Sequence, residues 1–122
     1  KNFKKKKILL LGAAYKDDVS DTRNSPSILL SSFLKKNNIN FFLHDPNTNT
    51  KDNKKFSISN KLPNFKKFDV VLLCVKHSYY KNMSIKKFSK KPKYLDLNRV
   101  LSKTQINHMI KNKFKLEFLG GH

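Results

Sequence analysis

The sequence predicts a single α/β domain built on a mostly parallel central sheet of about five strands, with helices over both faces. Three observations predict it. Short runs such as Ile8-Leu9-Leu10-Leu11 and "DVVLLCV" at residues 69–75 are apolar on both sides, the mark of strands buried between two layers. Segments with helix caps and one apolar stripe stand between them. Strand then alternates with helix along the chain, and that order gives parallel neighbours joined by crossovers. A length of 122 residues with 38% hydrophobic content suits one domain with one core system.

The elements follow in order. Ile8 to Leu11 is the first strand, ended by Gly12. Ser25 is an N-cap and Pro26 the first helical residue. Ile28, Leu29, Leu30, Phe33 and Leu34 supply the apolar face of that helix. Lys35 and Lys36 fill its last turn, and Asn37-Asn38 end it. Asn40 to Leu43 is the second strand, closed by a turn at His44-Asp45-Pro46. Residues 47–64 are polar and weakly patterned, with a short strand or turn at Phe56 to Ile58. Phe65 and Phe68 suggest a helical turn into the central strand, Asp69 to Val75. His77 to Lys90 reads as a helix with an irregular start, and Tyr94 to Leu97 as another strand. Ser102 to Asn112 is a helix carrying Ile106, Met109 and Ile110. Phe114 to Leu119 alternates as a last strand before Gly120-Gly121-His122. The expected strand order is 3-2-1-4-5, a Rossmann-like three-layer sandwich with the segment near Phe56 at one edge.

The formal net charge is +19, yet only two of the 27 basic residues are arginines, Arg23 and Arg99. The lysines lie in short runs spread over the chain, and neither arginine sits in a basic helix. This argues for solvated faces and against a nucleic-acid groove. Lysine, asparagine, isoleucine and phenylalanine all have A/T-rich codons, so genome bias alone accounts for much of the composition. Against that background an arginine stands out, because its planar fork binds carboxylate or phosphate in a way lysine cannot copy. No apolar run approaches the roughly 20 residues needed to span a bilayer. The single Cys74 has no disulfide partner and suits a reducing cytoplasm. The chain starts at Lys1 and enters a strand almost at once, which predicts a piece of a longer protein.

In open α/β sheets, ligands bind beyond the carboxyl ends of the strands at the switch point. That rule gathers Tyr15 and Lys16 after the first strand, Lys76 and His77 after the central strand, and Asn98 and Arg99 after "YLDL". Lys16 and Arg99 on one rim over a helix N-terminus would make an anion site fit for a diphosphate. Tyr15 offers a flat face to a base, ribose or sugar. A dinucleotide fingerprint is absent, since Gly12 leads into Ala13-Ala14-Tyr15 and not into further glycines. Cys74 reads as a buried, inert thiol. The four histidines lack metal spacing. Asp17, Asp18 and Asp21 lack the glycine and glutamate of a calcium loop. Asp21 is expected to pair with Arg23 or to cap the turn. No catalytic residue and no metal ligand emerges.

The stretch "ILLLGAAYKDDVSDTRNSPS", followed by "HDP", "DVVLLCVKHSYYK" and "DLNRVL", resembles the C-terminal, UDP-binding domain of the UDP-glucose/GDP-mannose dehydrogenase family. The resemblance covers nearly the whole chain in the right order. It implies substrate contacts at Tyr15, Lys16 and Arg99, and a place for Arg23 on the cofactor side of a domain interface. It implies NAD as the cofactor of the full-length enzyme, bound by upstream domains. The reaction it implies is oxidation of a sugar C6 alcohol to a carboxylate. The implied partners are a UDP-sugar, with a lean to UDP-N-acetylhexosamines, the upstream NAD-binding and middle domains of the same chain, and a second copy in a homodimer or larger assembly. The catalytic cysteine of such an enzyme is not in this stretch, so the chain alone is expected to be inactive. Many bacterial members read D-G-R-N where this chain has Asp96-Leu97-Asn98-Arg99, which leaves open whether residue 98 or 99 fills the arginine position. Two readings of other kinds remain beside this one: a basic nucleic-acid-binding module, and a structural domain with no ligand.

Overall fold

In the computed structural model the described residues, 5–119, form strands β1 (Lys7–Leu11), β2 (Asn40–His44), β3 (Ile58–Ser59), β4 (Val70–Leu73), β5 (Lys93–Asp96) and β6 (Leu116–Phe118). The helices between them are α1 (Pro26–Lys36), α2 (Thr50–Phe56), α3 (Ser78–Lys81) and α4 (Lys103–Lys111). The sheet order is β3-β2-β1-β4-β5-β6, and every pairing is parallel. The expected order is thus found, with the last strand added as a sixth. Gly120, Gly121 and His122 lie outside the described residues.

The period of two in β1 divides the core. Leu9 and Leu11 face one layer with Val71, Leu73, Tyr94 and Met109. Ile8 and Leu10 face the other with Leu34, Leu43 and Ile58. Each such side chain contributes about 1.5–3 kcal/mol through removal from water. The first layer is the larger and is rich in aromatics: the Phe65, Phe88 and Tyr94 ring centroids lie 5.7–6.2 Å apart. On the second layer Val70, Leu72 and Cys74 are only half-buried. That thin cover leaves space beside α1.

Helix α1 has its expected bounds, with the Ser25 side chain accepting from the Ile28 amide at 3.4 Å. Its five-residue apolar stripe is not all core, however: Leu29 is 71% exposed and Phe33 58%. Helix α2 falls in the stretch without pattern. None of its residues is buried, so it carries no apolar stripe to read. The Asn49 side chain starts it by accepting from the Asp52 amide, and Ser57 ends it at φ +57°. The long helix expected over 77–90 is broken into α3 and a 3-10 turn at Ile85–Lys87. The Gln105 side-chain amide, reaching over from α4, donates to the Tyr80 and Met83 carbonyls at 2.8 and 3.1 Å. Those carbonyls are the ones a further helical turn would use.

His44 ends β2 fully buried. Its Nε2–H donates to the Asn60 carbonyl at 3.2 Å, and its Nδ1 accepts from the Tyr80 hydroxyl at 2.8 Å. Burial depresses it from 6.5 to about 4, so it is neutral when folded. The unfolded chain takes up a proton below pH 6.5 while the folded chain does not. Stability from this group is therefore complete above that pH and lost as pH falls towards 4. We expect urea unfolding at about pH 4.5 to show about 2–3 kcal/mol less stability than at pH 7. That loss should be largely absent in His44→Gln.

Candidate functional site

The chain leaves β1 towards β2 and leaves β4 towards β5, so a crevice opens between the two loops at the carboxyl ends of the strands. Gly12 brings the loops together. Its φ is +107°, and a Cβ there would lie 2.6 Å from the Val75 Cβ and 2.8 Å from the Val75 nitrogen. Its amide donates to the His44 carbonyl at 2.7 Å. No side chain fits that conformation or that space.

The loop after β1 is then tied down by a carboxylate that the sequence reading takes for a simple turn residue. Asp45 is fully buried. Its Oδ2 accepts from the amides of Ala13 and Ala14 at 2.7 and 3.0 Å and from His77 Nε2–H at 2.8 Å. Its Oδ1 accepts from the Asn47 amide at 2.8 Å. Burial by itself would raise this carboxyl, but the His77 bond and the backbone amides of Ala13 and Asn47 outweigh it and hold it below its ordinary value. His77, also fully buried, turns its Nδ1 to the amide of Asp18 at 2.8 Å. Asp18 in turn accepts from the Ser78 amide and hydroxyl at 2.7 and 2.8 Å, which caps α3 from outside its own segment. Those Ser78 bonds hold its carboxyl low.

A second buried acid does the same work after β5. Asp96 accepts from the amides of Asn98, Val100 and Leu101 at 3.2, 2.8 and 3.0 Å. The tight turn puts Arg99 at φ +52°, and the Asn98 side-chain Nδ2 donates to the Cys74 carbonyl at 3.4 Å.

Between these two loops lies a cleft of about 330 Å³. Tyr15, Lys16 and Asp17 line one side and the first turn of α1, through Pro26 and Ser27, another. Cys74 and Asn98 close it from the β4 and β5 loops. Tyr15 is 54% exposed. Cys74 is half-buried at this surface, and loss of solvation pushes its thiol up to about 11, so it is protonated at neutral pH.

The candidate residues from the sequence therefore separate. Tyr15 and Lys16 share the cleft, and the residue of the β5 turn beside them is Asn98. Arg99 lines a different depression, with Lys103, Ile106 and Phe118. Arg23 lies over the neighbouring hollow beside α1 and α2, where its Nε and Nη2 grip Asp21 at 2.8–3.2 Å. That grip takes Asp21 down to about 2. The sequence reading sets His77 on the rim, Asp45 in a turn and Asp96 in the "DLNRVL" stretch, but gives none of the three its anchoring role. The signal available was an acid placed directly at the carboxyl end of a parallel strand, twice.

Comparison with known proteins gives a consistent picture. Residues 9–103 match the family model described as UDP-glucose/GDP-mannose dehydrogenase family, UDP binding domain. A UDP-N-acetyl-D-mannosamine dehydrogenase of Methanococcus vannielii is 29% identical over 122 residues, 98% of this chain and 28% of that protein. The UDP-N-acetyl-mannosamine dehydrogenase of S. aureus superposes with a TM-score of 0.64 at 27% identity, covering 80% of this chain and 23% of its own. An NDP-N-acetyl-D-galactosaminuronic acid dehydrogenase from Methanosarcina mazei Go1 has the same fold, with a TM-score of 0.74 at 21% identity over 96% of this chain and 25% of its own. The chain thus spans about a quarter of the length of these relatives.

Two substitutions test how the crevice is built. Gly12→Ala should cost roughly 2–4 kcal/mol in urea unfolding, from backbone strain and the clash with Val75 together. Asp45→Ala should cost about 3–5 kcal/mol, because it leaves two buried amides and His77 without an acceptor.

Proposed function

The chain belongs to the UDP-glucose/GDP-mannose dehydrogenase family, and from that premise we propose that the cleft between the β1 and β4 loops holds the UDP half of a nucleotide sugar. The observation that most supports this is the convergence of Tyr15, Lys16, the first turn of α1 and Asn98 on one cleft of about 330 Å³, at the switch point of the sheet. Lys16 brings an ammonium to the diphosphate. The first turn of α1 adds the positive end of its dipole. Tyr15 lays its ring along the base or ribose. Of the adjacent pair, Asn98 is the one we assign to the ligand. Arg99 acts through its longer-range field, which salt weakens.

Among the described residues, the loop after β1 is not arranged as a dinucleotide site. The amides of Ala13 and Ala14 follow β1 where a pyrophosphate-binding loop would present its donors, and Asp45 already occupies both. We accordingly assign NAD to upstream domains of the complete enzyme and place Arg23 on the side facing them. In that enzyme this chain holds the substrate while the sugar C6 alcohol is oxidised to a carboxylate. Alone it binds without turnover. The preferred sugar is a UDP-N-acetylhexosamine, and the working assembly a cytoplasmic homodimer or larger. Among the described residues no helix is long and apolar enough to cross a membrane.

Isothermal titration of the chain with UDP tests the assignment. Lys16→Ala should weaken binding about tenfold or more, the scale of a lost charge-assisted contact. Asn98→Ala should weaken it about threefold to fivefold, and Arg99→Ala by about twofold or less. Unchanged affinity in Lys16→Ala would remove the ligand from this cleft.

A further inference from the structure

We propose that His77 is the positioning residue that sets Lys16 and Tyr15 against the nucleotide, acting through the amide of Asp18 and not through contact with the ligand. This rests on the reading of the cleft as the UDP site. The segment that presents Tyr15, Lys16 and Asp17 is held at its two ends. At the near end the amides of Ala13 and Ala14 donate to Asp45. At the far end the amide of Asp18 donates to His77 Nδ1. His77 joins the two anchors, since its Nε2–H donates to the same Asp45 oxygen, Oδ2. Three residues span the gap, all exposed and all lining the cleft. They have little freedom of their own.

The partners also fix the tautomer. Nδ1 receives the Asp18 amide at 2.8 Å and the Asn47 side-chain amide at 3.3 Å, so it carries no proton. Nε2 faces a carboxylate and carries one. A neutral imidazole is the side chain that accepts at one edge and donates at the other while filling a fully buried site. Asp18 adds a reason for the arrangement. Its φ is +58°, a strained conformation for a residue other than glycine, and its carboxylate holds α3 through Ser78. The loop therefore takes its position from the β4–α3 connection, on the far side of the switch point.

The two halves of the imidazole separate in experiment. His77→Gln puts an amide N–H near the place of Nε2 and keeps Asp45 satisfied, but leaves the Asp18 amide without its acceptor. His77→Asn puts an amide oxygen near the place of Nδ1 and keeps the Asp18 anchor, but leaves Asp45 one donor short. A structural role alone makes the Gln variant better on every measure, because the buried charge is the costlier group to leave unpaired. Positioning gives opposite orders. The Gln variant should melt above the Asn variant, yet bind UDP about tenfold more weakly than the unaltered chain, while Asn stays within about threefold. Amide hydrogen exchange at Asp18 should quicken in Gln and hold in Asn. Affinities that follow the melting order, or UDP binding unchanged in Gln, overturn the proposal. If the unaltered chain binds no UDP at millimolar concentration, the nucleotide reading fails by itself. Exchange at Asp18 then decides the role of His77: quickening in Gln upholds the anchor, and an unchanged rate in Gln removes it. The same exchange measurement on Gln decides the case if Asn does not fold.

Discussion

A buried carboxylate at the end of β2 is the constraint on which the rest of this molecule hangs. Burying an ionised group costs several kcal/mol, and Asp45 is fully buried. Four donors offset the cost: three backbone amides and one imidazole, all within 2.7–3.0 Å. Bonds to a charged acceptor contribute about 1.5–3 kcal/mol each, so a complete set is what makes the site affordable. The same bonds order the loop after β1, and that loop forms one wall of the cleft. Packing of the core and construction of the site are in this way one problem.

The device appears again at Asp96, where a carboxylate at the end of β5 gathers three amides of the following turn. Both loops thereby satisfy their backbone donors internally. In an ordinary dinucleotide fold the amides after the first strand are left for a phosphate, and glycines let the ligand approach them. Here the chain's own acids take that place. On the proposed reading, recognition passes to side chains that project from a braced loop, chiefly Tyr15, Lys16 and Asn98, and to the first turn of α1, all of which line the cleft.

Charge follows the same geometry in part, with Asp69 at a strand start and Lys76 and Arg99 beyond strand ends as exceptions. In a sheet with every strand parallel, all the strand starts lie at one end. Lys7, Lys66, Lys67, Lys91, Lys93, Lys113 and Lys115 sit at or just before strand starts, away from the cleft. Asp17, Asp18, Asp45 and Asp96 stand at the opposite end, beside it. The net charge of +19 is therefore a poor guide to the site. What matters at the cleft is the local balance of Lys16 against Asp17.

The sequence by itself determined the architecture: the apolar run of β1, the cap at Ser25, and the alternation of strand with helix are local signals, and each survives folding. It also brought Tyr15 and Lys16 to the right end of the sheet, because ends of parallel strands share an edge whatever the loops do. It missed α2, which buries nothing, and the break after α3, which a side chain of α4 imposes. Only the tertiary structure decided what Asp45 and His77 do. They lie 32 positions apart; Asp45 reaches a loop 31–32 positions back in the chain, and His77 reaches one 59 positions back. Only it decided, too, that Asn98 faces the cleft while Arg99 faces away, since one residue of left-handed turn reverses which side chain looks inward. Hydrogen bonds to a buried charge are set by proximity in space, and a linear pattern carries no record of them.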